Sequence, residues 1–185
     1  PHMVTLVVRT LILLGKRPAT CRNMIFWLTG QPGSGKTTLG KALVEKLGNA
    51  FHIDGDNLRA ISNNRDYTKP GRLTNIRTAQ SIAMYLDTNN QDVVVSLIAP
   101  YRWLREEFKE RHKVNEIYLH TSAKRGRENY FVKNYEPPID NYLDLDTTDL
   151  TVEESLDIIM GNLGVSVKGP KAQLMSGEQK ESVVT

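Results

Sequence analysis

One short segment constrains the fold of this chain more than any other. Residues 30–37 read GQPGSGKT and match the pattern G-x-x-x-x-G-K-[ST] in full. An apolar run, residues 24–29, precedes the segment, and apolar residues with helical spacing follow it over residues 36–47. The pattern therefore predicts a strand, a tight glycine-rich loop and a helix in direct succession, which is a phosphate-binding unit of parallel α/β folds.

The residues of this loop suit the binding of a nucleoside triphosphate. Gly33 and Gly35 allow backbone torsions that a Cβ would penalise, so successive N–H groups can point at phosphate oxygens. The start of the following helix adds free N–H groups and the positive end of its dipole. Lys36 is predicted to lie against the β- and γ-phosphates, and the Thr37 hydroxyl is a candidate Mg²⁺ ligand. The predicted nucleotide-binding residues are Gly30, Gln31, Pro32, Gly33, Ser34, Gly35, Lys36, Thr37 and Thr38.

Strands and helices are predicted to alternate along the rest of the chain. Residues 92–98 are nearly continuously apolar and β-branched, which is typical of a central, buried strand. Thr151 and Glu154 form a capping-box pattern at the start of a last helix. This order predicts an α/β fold, a three-layer sandwich of the P-loop nucleoside triphosphate hydrolase type with a central parallel β-sheet. The predicted strands span residues 24–29, 50–53, 92–98, 114–119 and 142–145, and the predicted helices span residues 36–47, 73–86, 103–112 and 151–163.

Composition limits the classes of protein to which the chain can belong. It has 185 residues, 39% of them hydrophobic and 24% charged, which is ordinary for one globular domain. No window of about 18 residues is apolar and free of charge, so no membrane-spanning helix is expected. The net charge of +3 is too small to favour a nucleic-acid partner. The single cysteine, Cys21, cannot form an intrachain disulfide, which favours a reducing compartment and hence a cytoplasmic protein.

The two ends of the chain do not share the pattern of its middle. Residues 1–3 resemble the remainder of an expression tag, and residues 4–14 are mostly apolar. We expect residues 1–23 to be an N-terminal extension or tag; a signal peptide is the alternative, without the usual basic segment or cleavage-site pattern. Residues 24–164 form the expected P-loop domain, and residues 165–185 are polar without apolar periodicity, which predicts a disordered tail.

A pair of carboxylates follows the second predicted strand. Asp54 and Asp56, separated by Gly55, lie at the carboxyl end of that strand, where ligands bind in open α/β sheets. At such an edge, one carboxylate can orient or deprotonate an acceptor hydroxyl while the other holds a metal ion or its waters. The alternative is an ordinary turn stabilised by an Asx hydrogen bond, because Asp-Gly is a common turn pair.

Two further groups of polar residues follow along the chain. Arg72 and Asn75 are three residues apart and share one face of the predicted helix, whereas Arg77 points elsewhere. A guanidinium suits phosphate or sulfate, and a solvated helix face is the alternative interpretation. Residues 100–102, Pro-Tyr-Arg, end the predicted central strand. Tyr101 and Arg102 are expected to project over the rim of the sheet, and a plain strand-to-helix turn is an alternative that is compatible with this.

With these motifs in view, the chain resembles the adenylylsulfate kinases, also called APS kinases, over about three-quarters of its length. The phosphate loop and four further motifs have the order and spacing of that family: DGDNLR at 54–59, RLTNIR at 72–77, PYR at 100–102 and DTTDLTVEES at 146–155. The resemblance implies transfer of the γ-phosphoryl group of ATP to the 3′-hydroxyl of adenosine 5′-phosphosulfate. Homodimers are common in the family.

The resemblance also implies roles for individual residues. Lys36 and Thr37 would hold ATP and Mg²⁺. Asp54 would be the catalytic base near the 3′-hydroxyl and a second metal ligand. The acceptor nucleotide would contact Asp54, Asp56, Arg59, Arg72, Asn75, Ile98, Ala99 and Arg102.

Two features depart from the family pattern. Ala99 stands where the family usually has a serine that can be phosphorylated, so transfer is expected to be direct. The predicted lid, residues 121–138, is shorter than in the family and lacks its Lys-Phe pair; it is alternatively an ordinary loop. This departure leaves open a kinase for another nucleotide or a modified nucleoside, or a nucleotide-binding protein without catalysis. The expected substitutes in the lid are Arg125 and Arg127, together with Phe131 and Lys133, which are also expected to bind the substrate.

Overall fold

The computed structural model of the protein describes residues 23–162. The expected N-terminal extension, apart from Asn23, and the expected C-terminal tail lie outside these residues. Within residues 23–162, no helix combines the length and the apolar character needed to cross a membrane. The elements are β1 Ile25–Thr29, α1 Lys36–Leu47, β2 Ala50–Asp54, α2 Gly55–Ile61, α3 Lys69–Thr88, β3 Asp92–Ser96, α4 Arg102–Arg111, β4 Val114–His120, a 3₁₀ turn Glu128–Tyr130, β5 Tyr142–Asp146 and α5 Val152–Asn162.

The five strands form one parallel sheet in the order β2-β3-β1-β4-β5. β1 is the middle strand, in which Ile25 pairs with Val93 of β3 on one side and with Val114 of β4 on the other. The predicted three-layer α/β sandwich with a parallel sheet is confirmed. β3, predicted as the central strand, is interior but lies beside the middle strand.

Alternate residues of β1 enter two separate hydrophobic cores. Ile25 and Trp27 face the side of α3 and α4, where the Trp27 ring lies 5.5 Å from that of Phe108 between centroids. Phe26 and Leu28 face the opposite side, among apolar residues of α1 and α5. Because the strand is covered on both faces, its sequence is a continuous apolar run rather than an alternating one.

The structure adds a helix that the sequence analysis did not predict. The segment after Asp54 is α2 rather than only a turn, because the Asp54 carboxylate caps the helix. Its Oδ1 accepts hydrogen bonds from the backbone N–H groups of Asp56 at 3.0 Å and Asn57 at 3.2 Å. The Asx hydrogen bond and the functional carboxylate were predicted as alternatives, but both involve Asp54 and they are compatible with each other.

Two other predicted boundaries are wrong by a few residues. α3 begins at Lys69 rather than at residue 73, because the fixed φ of Pro70 suits the first turn of a helix. β3 ends at Ser96 rather than at residue 98, and the chain then passes through buried Ala99, whose φ of 40° is left-handed. All other predicted ends agree with the structure to within two residues.

A buried charge pair ties α4 to the sheet and to two loops. Arg105 on α4 and Glu116 on β4 are both buried, with Nε and Oε1 2.6 Å apart. Lys109 contacts the same carboxylate, with its Nζ 2.6 Å from Oε2. The remaining Arg105 nitrogens donate to the carbonyl oxygens of Ala99 and Glu136. Every charge in the group therefore has a partner, as burial requires, and the loops containing these two carbonyls are fixed at the carboxyl edge of the sheet.

Gly40 provides a test of how α1 packs on the sheet. A Cβ at this position would lie 2.3 Å from Ser96 Oγ and 2.6 Å from His52 Nε2. The Ser96 hydroxyl is held by hydrogen bonds of 3.0 Å to the Lys36 carbonyl and to His52. We therefore expect Gly40→Ala to lower the free energy of unfolding by about 1–3 kcal/mol in urea titrations, although alanine ordinarily stabilises a helix relative to glycine.

Gly161→Ala is the matched control for this prediction. Gly161 lies in the last turn of α5, and no atom of the described residues outside its chain neighbours and the nearby backbone of its own helix lies within 4 Å of an added Cβ. This substitution should leave the free energy of unfolding unchanged or raise it by up to about 1 kcal/mol. Equal effects of the two substitutions would contradict the close packing of α1 on Ser96.

Candidate active site

The phosphate loop joins β1 to α1 at the carboxyl edge, in the middle of the sheet. Gly33 and Gly35 have φ of 84° and 91°, in the left-handed region that the pattern predicts for them. Gly35 immediately precedes α1 and offers no side chain to cap the helix. The first N–H groups of α1 are therefore available to an anion.

Lys36 lies across its own loop. Its Nζ donates to the Gln31 carbonyl at 2.8 Å and to Ser34 Oγ at 3.3 Å. Burial lowers the pKa of Lys36 from 10.5 to about 8, while the negative charges of Asp56 and Asp54 act in the opposite direction. The hydrogen-bond acceptors of the ammonium are thus neutral. A negatively charged phosphate oxygen in their place would stabilise its charge better.

The structure brings Asp54, at the end of β2, into contact with the phosphate loop. Its Oδ2 accepts a hydrogen bond from Thr37 Oγ1 at 2.8 Å, and the residue is only 8% exposed. The two predicted metal ligands are therefore adjacent. Asp56 lies in the first turn of α2, where it is exposed.

Arg59 organises the connection between α2 and α3. The residue is buried, and its NH1 donates to the carbonyl oxygens of Asn64 at 3.2 Å and Asp66 at 2.7 Å. Its guanidinium carbon lies 4.4 Å from the centroid of the Tyr67 ring. Burial lowers the pKa of Arg59. One terminal nitrogen of this predicted acceptor ligand is thus already bound to the main chain.

Tyr67 is a candidate site residue that the sequence analysis missed. Its side chain is 60% exposed, and the Arg72 guanidinium lies 5.8 Å from its ring centroid. Arg72 Nε also donates to the Tyr67 carbonyl at 2.8 Å. An exposed ring beside two guanidiniums is suited to a ligand that is both aromatic and anionic. The available signal was a lone aromatic residue in the polar stretch 62–72.

Asn75 and Arg77 lie on different faces of α3, as the helical spacing predicts. Asn75 is 3% exposed, and its Nδ2 donates to the Gly55 carbonyl at 3.3 Å. Its Oδ1 is buried and has no hydrogen-bond partner among the described residues. Arg77 points away and pairs with Glu107 of α4 at 3.2 Å.

The turn at residues 98–102 lies beside the phosphate loop. Ile98 is half-buried, and its carbonyl accepts a hydrogen bond from Thr29 Oγ1 at the end of β1, at 2.7 Å. Arg102 begins α4, and its Nε donates to the Pro137 carbonyl at 2.7 Å. The Arg102 guanidinium, predicted to contact the acceptor, therefore also holds the end of the lid.

Two lid arginines lie against the phosphate loop. The Arg125 guanidinium donates to the Gly33 carbonyl at 3.1 Å and to the Thr147 carbonyl. A Cβ added at Gly33 would lie 3.3 Å from the Cβ of Arg127. The Arg127 guanidinium lies 5.9 Å from the ring centroid of Tyr130. Both arginines thus stand beside the loop that the sequence assigns to a triphosphate.

The other two predicted lid residues lie on the outside of the molecule. Phe131 is 46% exposed and Lys133 is exposed. Between them, Val132 is bound through its backbone N–H and carbonyl by the side-chain amide of Gln31. The loop pattern allows any residue at its second position, so it gives no indication of this contact.

Comparison with known proteins places the chain in a family. The sequence profile described as adenylylsulphate kinase matches residues 22–135, more than half of the chain. A cytidine diphosphoramidate kinase of Campylobacter jejuni is 33% identical over 131 residues, which are 66% of this chain and 77% of that protein. An adenylyl-sulfate kinase of Rippkaea orientalis is 32% identical over 168 residues, covering 77% of this chain and 92% of that protein.

A solved structure supports the same fold. The APS kinase of Mycobacterium tuberculosis, in complex with AMPPNP and APS, superposes with a TM-score of 0.68 over 77% of this chain and 98% of that chain, at 22% identity. The five-stranded parallel sheet with helices on both faces agrees with this fold. The chain belongs to the adenylylsulphate kinase family and is an ATP-dependent P-loop kinase.

Proposed function

We propose that this kinase transfers the γ-phosphoryl group of ATP to the 3′-hydroxyl of adenosine 5′-phosphosulfate and forms 3′-phosphoadenylyl sulfate. The contact between Asp54 and the phosphate loop carries the proposal, since a carboxylate oxygen lies 2.8 Å from Thr37 Oγ1. A candidate base is thus next to the place where a triphosphate binds, as transfer to an alcohol requires. Relatives named as adenylyl-sulfate kinases support this acceptor.

The phosphate side of the reaction is assigned to the loop and to Lys36. When ATP binds, the Lys36 ammonium exchanges the Gln31 carbonyl for oxygens of the β- and γ-phosphates, and the loop N–H groups surround the same phosphates. Because Lys36 is buried, its charge acts with little screening by water. It therefore stabilises the negative charge of the transition state better than an exposed lysine would.

The oxygens of Thr37 and Asp54 fit a magnesium ion. A hydroxyl and a carboxylate are hard donors, and Mg²⁺ is commonly held by one or two such groups together with substrate phosphates and waters. Residues 23–162 contain no group of three or more His, Cys, Asp or Glu side chains placed to hold a metal without substrate. Bound Mg²⁺ would neutralise charge on the β- and γ-phosphates.

Asp54 is the proposed general base. Its carboxylate accepts the proton of the acceptor hydroxyl while that oxygen forms a bond to the γ-phosphorus and the bond from this phosphorus to the β–γ bridging oxygen breaks. ADP leaves with the electron pair of the broken bond. Ala99 offers no hydroxyl, so no phosphoenzyme forms at that position and transfer is direct.

The acceptor side is assigned to Tyr67, Arg72 and Asn75. The exposed Tyr67 ring offers a face to a nucleobase. The adjacent Arg72 guanidinium suits the phosphosulfate group, since its planar donors match tetrahedral oxyanions. The unpartnered Asn75 Oδ1 accepts a hydrogen bond from the bound nucleotide.

Cytidine diphosphoramidate is a second candidate acceptor. The Campylobacter jejuni relative is named as a kinase of this compound and is 33% identical. The short lid is the observation in this chain that favours it, because the lid leaves Phe131 exposed and lacks the family's Lys-Phe pair. A pyrimidine needs less apolar cover than a purine. Both compounds are nucleotides with two linked acidic groups on the 5′ side, so the same residues can serve either.

Acceptor assays test the proposal. ADP release from MgATP is measured with adenosine 5′-phosphosulfate and with cytidine diphosphoramidate in parallel. We expect kcat/KM to be at least about tenfold higher for adenosine 5′-phosphosulfate, since each 1.4 kcal/mol of differential binding gives that ratio. The reverse ratio would assign the second acceptor, and no turnover of either would overturn the proposal.

Arg72→Ala should then raise the KM of the acceptor by about tenfold or more, because a charge-assisted contact is lost, and should raise that of ATP much less. Arg77→Ala is the matched control, because Arg77 lies on the same helix but pairs with Glu107. It should change neither constant by more than about twofold. An equal rise in both constants for Arg72→Ala would remove Arg72 from the acceptor site.

Lys36 should take up a proton when MgATP binds at alkaline pH. Its pKa of about 8 in the free enzyme is lowered by burial, and phosphate oxygens raise it again by favouring the ammonium. At about pH 9, Lys36 is mostly neutral in the free enzyme and protonated in the complex with MgATP, so binding takes up close to one proton. At about pH 6.5 both forms are charged and no uptake occurs.

Calorimetry in buffers of different ionisation enthalpy measures this uptake. Lys36→Arg is the control, since a guanidinium stays protonated throughout the range and should show no uptake at either pH. Binding to the unaltered protein at about pH 9 without proton uptake would contradict a buried, partly neutral Lys36.

Asp54→Asn should separate catalysis from structure. Asparagine caps a helix as well as aspartate does, so α2 and the melting temperature should persist. Turnover should fall by about a hundredfold or more, because an amide cannot accept the proton, whereas the Kd of ATP should change little. Asp54→Ala should in addition lose about 1 kcal/mol of stability with the cap. Collapse of ATP affinity in Asp54→Asn would instead make Asp54 mainly a metal or folding residue.

A further inference from the structure

The side chain of Gln31 makes a two-way contact with the lid. Its Nε2 donates to the Val132 carbonyl at 3.0 Å, and its Oε1 accepts from the Val132 N–H at 2.9 Å. The amide therefore pairs with one residue as a neighbouring strand would. Phosphate binding uses the main chain of the loop and does not require glutamine at this position, so the side chain is free for another task.

The segment that begins at Val132 ends on the turn beside the phosphate loop. We refer to residues 132–137 as the strap. At its far end, the Glu136 N–H donates to the Pro100 carbonyl at 2.9 Å, and the Glu136 carboxylate accepts from the Arg102 N–H at 2.7 Å. Arg102 Nε donates to the Pro137 carbonyl at 2.7 Å. The strap thus connects the phosphate loop to the turn at residues 98–102.

The middle of the strap is held against the protein interior. The Tyr135 hydroxyl lies 3.0 Å from Thr29 Oγ1, and burial raises the pKa of this phenol. The buried Arg105 guanidinium donates to the Glu136 carbonyl at 2.7 Å and pairs with Glu116. The strap is therefore held by the contacts at its two ends and in its middle together, so removal of the contact at one end loosens the whole segment.

We propose that Gln31 is a positioning residue, which holds the strap against the phosphate loop and thereby sets the place of the turn at residues 98–102 relative to the bound triphosphate. The inference rests on the proposed function, in which this turn lines the acceptor pocket. Gln31 contacts neither reacting atom. It acts by fixing the distance between the donor and acceptor halves of the site, a distance on which the transfer rate depends steeply.

Backbone amide exchange tests the transmission without any acceptor. Gln31→Met keeps the length and approximate volume of the side chain but removes both hydrogen bonds, and Gln31→Asn keeps the amide but cannot reach Val132. Both variants should speed exchange of the Val132 amide by about tenfold. They should also speed exchange at Glu136 and Arg102, by about threefold or more. Two variants are used so that poor folding of one leaves the other as a measurement.

Asn134→Ala is the matched control. Asn134 lies in the strap, is exposed and makes no side-chain hydrogen bond within residues 23–162, so its replacement should leave all three amides unchanged. Faster exchange at Val132 alone would overturn the proposal, because the strap would then not transmit. Unchanged exchange at all three amides in a folded Gln31 variant would overturn it as well.

Kinetics separate this inference from the proposed function. With whichever of adenosine 5′-phosphosulfate and cytidine diphosphoramidate the unaltered enzyme phosphorylates, both Gln31 variants should lower kcat by about fivefold or more, and should raise the KM of the acceptor more than that of ATP. Equal constants in variant and unaltered enzyme would overturn the positioning role while leaving the proposed function intact. If neither acceptor is phosphorylated, the proposed function fails, and the exchange rates still decide whether Gln31 positions the turn.

Discussion

The hydrogen bonding of β1 between β3 and β4 is the constraint on which the whole site depends. β1 is buried on both faces, so it cannot shift along its neighbours without exposing one of the two cores. Leu28 of β1 and Asp54 of β2 both pair with Ser96, which places the start of the phosphate loop and the end of β2 at the same level of the sheet. The contact of 2.8 Å between Thr37 and Asp54 is a consequence of that register.

Arg105 and Lys36 are buried cations near the carboxyl edge of the sheet, and they differ in how completely their charge is compensated. Arg105 has the Glu116 carboxylate and two carbonyl oxygens as partners, and its role is to hold loops in place. Among residues 23–162, Lys36 has only a carbonyl and a hydroxyl within hydrogen-bonding distance, and burial lowers its pKa to about 8. A buried cation without a directly bound anion is suited to recruit one, so we assign Lys36 to the proposed phosphoryl transfer and Arg105 to the framework.

The parts of the molecule that were predictable from sequence are those set by local patterns. The run at residues 24–29, the loop pattern and the helical periods predicted the sheet and the phosphate loop, and Asp54 was predicted because it ends a strand. Tyr67 was missed because its contact with the Arg72 guanidinium follows no sequence pattern. The side chain of Gln31 was missed because its partners are main-chain atoms of Val132, which is distant in sequence. Main-chain atoms are the same in every residue, so such contacts leave no pattern in the sequence.

The difference between parts bound into the sheet and loops held by polar side chains explains how one framework can serve different acceptors. The phosphate loop and Asp54 are bound into the sheet, and moving them would disrupt both hydrophobic cores. Residues 62–68, which contain Tyr67, and the lid are held instead by hydrogen bonds between polar side chains, such as those of Arg59 and Gln31, and main-chain groups. Replacing such a side chain can move a loop at little cost to the core. Two relatives that are 33% and 32% identical to this chain are named as kinases of different acceptors, which is what a fixed phosphate loop beside replaceable loops would allow.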